Sequence, residues 1–375
     1  MIPFIDLQTQ YSRLQDEMER AVLGVLRSGK YIMGPEVAEL EAQLSRFVGV
    51  SHCIACASGT DALVMALMAK GVSRGDAVFT TPFTFVATAE AIANVGATPV
   101  FVDIDATTFN IDPARLEEAI ARVKDQGALN PRAIITVDLF GLPADHGPIN
   151  ALAGREGLFV IEDAAQSFGA TAGNRRAGSL ADIGCTSFFP AKPLGCYGDG
   201  GALFTDDAEV AEVLRSIRVH GQGAHKYDNV RLGVAGRLDT VQAAILLVKL
   251  KVFESELAAR QRFAETYGSM IRGTGAPVQV PAIPEGLSSA WAQYSVLAGS
   301  EEERERLMAG LAAAGVPTAI YYPKPLHLQQ AFAYLGHSAG DFPISEDAAS
   351  RVFSLPMHPY LDEATIAEIV RALKA

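Results

Sequence analysis

The sequence has little of what marks membrane or secreted proteins. No run of about 18 apolar residues occurs, and the longest candidate, residues 243–253, is interrupted by Lys249 and Lys251. A membrane-spanning helix is therefore not expected. Residues 1–15 lack a charged start followed by an apolar block, so they do not resemble a signal peptide, and we expect a cytoplasmic protein.

Basic residues are also fewer than acidic ones. The chain has 31 lysine and arginine residues against 43 aspartate and glutamate residues, which gives a net charge of −12. This acidic balance aids solubility and argues against sequence-independent binding of nucleic acid. It does not exclude a small anionic substrate, because such a ligand needs only local positive charge.

Cysteines are few, at four in the whole chain. Cys53 and Cys56 form a CxxC pair, but Cys185 and Cys196 do not form a second one. The first pair lies in "HCIACASGT", which is typical of a buried strand. We therefore interpret all four as small buried thiols and predict no metal site.

Helical and strand patterns alternate along the first two thirds of the chain. Short runs such as "TPVFVDID", "AIITVDLFG" and "LFVIEDAAQS" are typical of strands buried on both faces of a mainly parallel sheet, and the spacers are amphipathic helices. After Arg237 one long helical stretch leads into a C-terminal part that mixes helices with a few strands. We predict an α/β fold with a large domain over residues 1–250 and a smaller α+β domain over residues 251–375.

Lys192 stands in an unusual setting, "TSFFPAKPLGCYGDGGA", with Ser187 before it and glycines after it. Lysine amines form Schiff bases with carbonyl compounds when their pKa is lowered. Glycine lets the backbone approach a bound ring closely. A surface lysine in a glycine-rich turn would explain the same letters equally well.

Two further positions suggest a ligand. Asp163 ends the apolar run "LFVIED", at the sheet edge where open α/β folds bind ligands, and a carboxylate there can raise the pKa of a pyridine nitrogen and so keep it protonated. Gly59 and Thr60 lie at a predicted helix start in "ASGTDAL", where free N–H groups favour a phosphate. Taken singly, Asp163 could cap a helix, and Ser58 or Thr60 could be an N-cap.

The order of these signals resembles the fold-type-I enzymes that use pyridoxal 5'-phosphate. More narrowly, the chain is similar to the sugar aminotransferases of the DegT/DnrJ/EryC1/StrS family. The resemblance covers nearly the whole chain and rests on motifs in the family's order and spacing: "ASGTDAL", "TPFTFVATAEAI", "VFVDID", "VIEDAAQSFGA", "TSFFPAKPLGCYGDGGA", "RVHGQ" and "GRLDTVQAAIL".

The resemblance implies a role for each matching residue. Lys192 would hold the cofactor covalently, Asp163 would pair with its ring nitrogen, and Gln166 would bond its phenolic oxygen. Phe83 would stack on the ring. Three residues would hold the phosphate: Gly59, Thr60 and Ser187. Two would bind the substrate: Tyr322 near the sugar, and Arg237, which belongs to a segment that reaches over from a neighbouring subunit.

The resemblance also implies the reaction. An amino group would move from L-glutamate to a nucleotide-linked keto-sugar, with C3 of UDP-2-acetamido-2-deoxy-3-keto-glucuronic acid as the best match, in the biosynthesis of a cell-surface polysaccharide such as O-antigen. A homodimer with shared active sites is expected. The alternatives are C3 or C4 amination of another UDP, dTDP or GDP keto-sugar, a sugar dehydratase, or a regulator that binds the cofactor without turnover. A lysine at position 192 argues against the dehydratase, in which this position carries histidine.

Two positions depart from the family pattern. Ala235 stands where the family usually has an asparagine that contacts the cofactor phosphate of the other subunit. Either another donor replaces it, with Asn229 as one candidate, or the phosphate has one bond fewer. Tyr321 stands where many relatives have histidine, which leaves the identity of the sugar open.

Overall fold

A computed structural model describes residues 2–225 and 227–374. Helices and strands alternate over this part of the chain, as the sequence predicts. The strands are β1 (His52–Cys56), β2 (Asp76–Thr80), β3 (Thr98–Phe101), β4 (Asn130–Val137), β5 (Phe159–Asp163), β6 (Thr171–Ala172), β7 (Arg175–Arg176), β8 (Ile183–Ser187), β9 (Gly201–Thr205), β10 (Val278–Gln279), β11 (Tyr294–Ala298) and β12 (Val352–Leu355). The helices are α1 (Leu7–Ser28), α2 (Pro35–Val48), α3 (Gly59–Ala69), α4 (Ala87–Asn94), α5 (Pro113–Gln126), α6 (His146–Glu156), α7 (Ala208–Ile217), α8 (Thr240–Thr274), α9 (Glu301–Ala313), α10 (Pro343–Arg351) and α11 (Glu363–Lys374).

The central sheet has the strand order β1-β9-β8-β5-β4-β2-β3. Its strands β8, β5, β4, β2 and β3 pair in parallel, whereas β9 runs antiparallel to both of its neighbours. The carboxyl ends of β4, β5 and β8 therefore meet at one edge of the sheet. Loops that leave this edge are the usual ligand-binding segments of such folds.

Helices cover both faces of the sheet, which explains the nearly continuous apolar runs of its strands. Adjacent residues of one strand enter opposite cores: Ile134 and Val160 pack with α5 and α6, whereas Ile135 and Ile161 pack with α3 and α7. A strand buried on both faces needs apolar side chains at successive positions. The predicted α/β architecture with a mainly parallel sheet is confirmed.

The C-terminal part begins along α8, a helix of 35 residues. This helix confirms the long helical stretch predicted after Arg237. Beyond it, β10, β11 and β12 form a small antiparallel sheet that packs with α9 and α11. The boundary predicted between residues 250 and 251 falls inside α8, and the division into two domains stays a prediction. No helix of the described residues is long and apolar enough to cross a membrane.

The four cysteines are free and buried, as the sequence predicts. Burial raises the pKa of each thiol, for Cys196 to about 11. Thiols in such surroundings stay protonated and behave as small apolar side chains.

Strand β8 depends on a close backbone approach at Gly184. A Cβ atom built on Gly184 would lie 2.1 Å from the carbonyl oxygen of Gly178 and 2.5 Å from its carbonyl carbon. Neither atom belongs to a side chain that could rotate away. Because β8 ends at Ser187, the position of that hydroxyl depends on this approach.

We therefore expect Gly184→Ala to lower the free energy of unfolding by about 3 kcal/mol, since overpacking of a buried backbone contact has no relief by side-chain movement. Urea denaturation followed by circular dichroism measures the change. Gly154→Ala is the matched control, because Gly154 is exposed in α6 and its Cβ would meet nothing within 4 Å. That variant should be unchanged or gain up to about 1 kcal/mol; equal stability of the two variants would contradict the prediction.

Candidate active site

A cavity of about 470 Å³ opens at the carboxyl ends of β4, β5 and β8. Its walls come from the start of α3, the segment before α4, the loop after β8, and two segments of the C-terminal part. Seven of the nine predicted site residues line it: Gly59, Thr60, Asp163, Gln166, Ser187, Lys192 and Tyr322. The structure does not bring Phe83 or Arg237 to this cavity.

One end of the cavity is formed by the N-terminus of α3. Ser58 caps this helix by accepting a hydrogen bond from the N–H of Asp61 at 3.0 Å. A Cβ on Gly59 would lie 2.7 Å from Cβ of Ser187, and one on Gly201 would lie 2.8 Å from the nitrogen of Gly59. Only glycine therefore allows the helix start to contact β8 and β9 this closely. The first N–H groups of α3 and the hydroxyls of Thr60 and Ser187 border one pocket that suits an anion.

Asp163 lines the cavity and is 9% exposed. Its carboxylate accepts hydrogen bonds from the Thr88 hydroxyl at 2.9 Å and from the N–H of Ala165 at 3.2 Å. Burial raises the pKa of Asp163, while the charge of Lys192 and the bond from Thr88 partly oppose that rise. The end of β5 determines where the Asp163 carboxylate lies, and the hydrogen bond from Thr88 of α4 determines how it is oriented.

Lys192 lies in the loop between β8 and β9. Burial lowers the pKa of its amine, and the charge of Asp163 partly counteracts the effect. The loop is held by main-chain hydrogen bonds, from the Lys192 N–H to the Phe189 carbonyl at 2.9 Å and from the Cys196 N–H to the Phe188 carbonyl at 2.7 Å. A lowered pKa favours the neutral amine, which is the form that attacks a carbonyl carbon.

Gln166 has a fixed orientation. Its Oε1 accepts the N–H of Phe140 at 2.7 Å, and its Nε2 donates to the Tyr322 hydroxyl at 3.1 Å. Because the N–H of Phe140 is an obligatory donor, the amide oxygen must face Phe140 and the NH₂ group must face the cavity. Gln166 therefore offers a hydrogen-bond donor to a ligand oxygen.

The acid on the other side of β5, Glu162, serves the fold. Its two oxygens accept the N–H groups of Gly178 at 2.6 Å and Leu180 at 2.8 Å, and burial, with the nearby Asp138, raises its pKa. Glu162, Asp138 and His146 offer ligand atoms within 4.8 Å of one another. The two carboxylates are satisfied without a cation, because each of their oxygens accepts a hydrogen bond from the protein, whereas Nδ1 of His146 has no partner among the described residues.

Four aromatic side chains line the cavity, those of Phe85, Phe189, Tyr321 and Tyr322, whereas Phe83, which the sequence predicts to stack on a ligand ring, is not among them. The Phe83 side chain is fully buried and packs against Phe109 and Phe140 at 6.2 and 6.3 Å between ring centroids. Phe85 lines the cavity, is 53% exposed, and lies 6.2 Å from the Tyr322 ring. In "TPFTFVAT" the two phenylalanines point to opposite sides, and their sequence does not indicate which side faces the ligand.

Arg237 lies outside this cavity, on the segment before α8. It is half-buried, and its Nε has no hydrogen-bond partner among the described residues. Ala235 is exposed and bridges Val219. The amide of Asn229 donates to the carbonyl of His220 at 2.9 Å, so this candidate replacement for the family asparagine is engaged within its own loop.

The cavity residues fit pyridoxal phosphate. The N–H groups and hydroxyls at the α3 terminus match a phosphate, and the Asp163 carboxylate matches a protonated ring nitrogen. The NH₂ group of Gln166 matches the phenolic oxygen, and the Lys192 amine matches the aldehyde carbon. These four groups border one cavity, as a single ligand with those four features requires.

Comparison with known proteins gives one consistent result. The model of the DegT/DnrJ/EryC1/StrS aminotransferase family matches residues 12–374. The UDP-2-acetamido-2-deoxy-3-oxo-D-glucuronate aminotransferase of Pseudomonas aeruginosa is 50% identical over 373 residues, which cover 100% of this chain and 99% of that protein.

Two solved structures extend this likeness to three dimensions. A DegT/DnrJ/EryC1/StrS aminotransferase from Brucella abortus is 52% identical with a TM-score of 0.96, covering 100% of this chain and 98% of that one. NtdA from Bacillus subtilis, solved with bound cofactor PMP, is 30% identical with a TM-score of 0.87, covering 99% and 83% respectively. The chain belongs to the DegT/DnrJ/EryC1/StrS aminotransferase family.

Proposed function

We propose that the protein is a pyridoxal-phosphate-dependent aminotransferase that acts on a nucleotide-linked keto-sugar. The observation that carries this proposal is the shared cavity of Asp163, Lys192, Gln166 and the α3 terminus. Each group alone has an ordinary structural explanation. Together they offer a carboxylate, an amine, an amide donor and an anion site to one ligand, and that combination suits this cofactor.

We propose that Lys192 holds the cofactor covalently, Asp163 pairs with its ring nitrogen, and Gln166 donates to its phenolic oxygen. Gly59, Thr60 and Ser187 would hold the phosphate. Phe85 takes the stacking position assigned to Phe83 from the sequence, because Phe85 is the phenylalanine of this segment that lines the cavity.

When bound, pyridoxal phosphate supplies an electron sink that stabilises a carbanion at the carbon from which a proton is removed. Asp163 strengthens that sink, because an anion beside the ring nitrogen keeps it protonated. The Lys192 amine, when free, would act as general base and acid, because it would accept the proton from that carbon and give it back. Its lowered pKa favours the neutral form that accepts a proton.

We propose L-glutamate as amino donor and C3 of UDP-2-acetamido-2-deoxy-3-keto-glucuronic acid as acceptor, in cytoplasmic synthesis of a surface polysaccharide such as O-antigen. The name of the Pseudomonas aeruginosa relative supports this substrate. Tyr322 borders the cavity next to Gln166 and suits a contact to the sugar. A free carboxylate on that sugar needs a cation, and Arg237 is our candidate.

We further propose a homodimer in which Arg237 enters the partner's site. Arg237 lies outside the cavity of its own chain, and its Nε lacks a hydrogen-bond partner among the described residues of that chain. Val230 and Leu232, which precede Arg237 in the chain, are 55% and 88% exposed, and Ile32, which bridges Asp239, is 52% exposed. Covering these residues with a second copy would remove apolar surface from water.

The covalent role of Lys192 can be tested directly. We expect the purified protein to be yellow, and borohydride reduction should fix the cofactor on Lys192, because Lys192 is the lysine that lines the cavity in the described part of the chain. Peptide mapping by mass spectrometry identifies the labelled lysine. A label on any other lysine overturns the assignment.

Asp163→Asn provides the matched variant. It should still be labelled at Lys192, but turnover should fall by about 10- to 1,000-fold, since a neighbouring carboxylate raises a pKa by about 1–3 units. A normally folded variant with near-normal turnover would exclude Asp163 from this role.

The substrate can be tested with glutamate and a panel of UDP, dTDP and GDP keto-sugars. We expect the UDP-linked uronic acid to be preferred, and Arg237→Lys to lower kcat/KM for that sugar by about 10-fold, because arginine forms two parallel bonds to a carboxylate. Neutral sugars and glutamate should be affected less. Equal losses for acidic and neutral sugars would exclude Arg237 as the carboxylate contact.

Shared sites can be tested by mixing two inactive variants, Lys192→Ala and Arg237→Ala. If Arg237 serves the partner's site, each hybrid dimer has one site free of both changes, so complete exchange should restore about a quarter of the sites. Native mass spectrometry verifies the exchange. Verified hybrids without recovered activity would contradict the shared site.

A further inference from the structure

Gln293 lines the cavity from the C-terminal part of the chain, immediately before β11. Tyr321 and Tyr322 line the same cavity, and all three residues come much later in the sequence than the predicted cofactor residues. None of the sequence motifs includes it. Its neighbours Ala292 and Tyr294 are buried, so the short segment leaves little freedom for the residue to move.

The backbone of Gln293 is fixed onto the turn after β4. The Gln293 N–H donates to the Phe140 carbonyl at 3.4 Å, and the Ala290 N–H donates to the Gly141 carbonyl at 2.9 Å. Gly141 has a φ of 107°, and a Cβ there would lie 2.7 Å from the nitrogen of Trp291. The turn and the segment thus contact each other through backbone alone, which holds the Gln293 side chain at the cavity wall.

The side-chain oxygen of Gln293 is a hydrogen-bond acceptor without a donor. Its Oε1 is buried and has no hydrogen-bond partner among the described residues. Gln166, which the same Phe140 holds through its N–H group, has both ends of its amide bonded. A buried acceptor without a partner is unfavourable, so a ligand that brings a donor to this position gains binding free energy.

We propose that Gln293 is a specificity-determining residue that accepts a hydrogen bond from a hydroxyl or amide N–H of the bound sugar. This inference rests on the proposed function. Glutamate is the wrong partner, because its carboxylates are acceptors and its ammonium group is the reacting group beside Lys192. A 2-acetamido-3-keto-sugar presents an amide N–H and a hydroxyl on the two carbons that flank its reacting carbon, and Gln293 accepts a hydrogen bond from one of them.

The test compares Gln293→Met with wild type in the loaded enzyme. Methionine keeps the length of the side chain and removes the acceptor. Isothermal titration measures the Kd of UDP-N-acetylglucosamine, which carries hydroxyl and amide donors without a carboxylate. We expect Gln293→Met to raise this Kd about 3- to 10-fold, the loss of one neutral hydrogen bond. The single-turnover reaction with glutamate, followed by the change in cofactor absorbance, should stay within about 2-fold of wild type.

Two variants complete the design. Gln293→Glu keeps an acceptor at the same place and should bind UDP-N-acetylglucosamine more tightly than Gln293→Met. Gln126→Met, at an exposed position at the end of α5, makes the same chemical change away from the cavity and should match wild type. An unchanged Kd in Gln293→Met, or equal losses in the sugar and glutamate measurements, would overturn the role of Gln293 while leaving the aminotransferase intact. A wild type that binds no nucleotide sugar would overturn both proposals.

Discussion

Asp163 and Lys192 are groups of opposite charge that share one buried cavity, and the surrounding structure compensates for the cost of burying them. Burial raises the pKa of the carboxyl and lowers that of the amine, so each shift favours the neutral form. Their mutual attraction, the Thr88 hydroxyl and the N–H of Ala165 favour the charged carboxylate instead. These groups meet at the carboxyl end of β5, where the turn after the strand supplies the N–H of Ala165 as a main-chain donor.

A second dependence connects the two halves of the chain through one residue. Phe140 has a left-handed φ of 58°, which directs its N–H toward Gln166 and its carbonyl toward Gln293. One cavity wall therefore comes from the central sheet and the other from the C-terminal part, with a fixed relation between them. Of the residues predicted for the cofactor, all but Phe83 line the cavity from the first wall, and Gln293 lines it from the second. The cofactor motifs therefore do not include the second wall.

The sequence predicts the parts of the site that depend on the strand and helix pattern. Asp163 follows an apolar run and Gly59 precedes a helix, so the pattern alone brings them to one edge of the sheet. The pattern does not predict the positions of two kinds of residue relative to the cavity. Phe83 and Phe85 differ only in the side toward which an irregular segment turns its side chains, and packing with Phe109 and Phe140 determines that side. Gln293 reaches the cavity through contacts between segments about 150 residues apart, which no local pattern records.

The anion pocket at the start of α3 is built mainly from backbone, since Gly59 and Gly201 leave no room for a Cβ atom. Main-chain donors do not change when side chains are replaced, so mutation can change this part of the cavity mainly through the hydroxyls of Thr60 and Ser187. The opposite wall consists of side chains such as Tyr321 and Gln293, which substitution alters freely. An engineer who wishes to redirect the enzyme to another sugar can therefore vary that wall without rebuilding the cofactor site, and natural divergence within such a scaffold is subject to the same asymmetry.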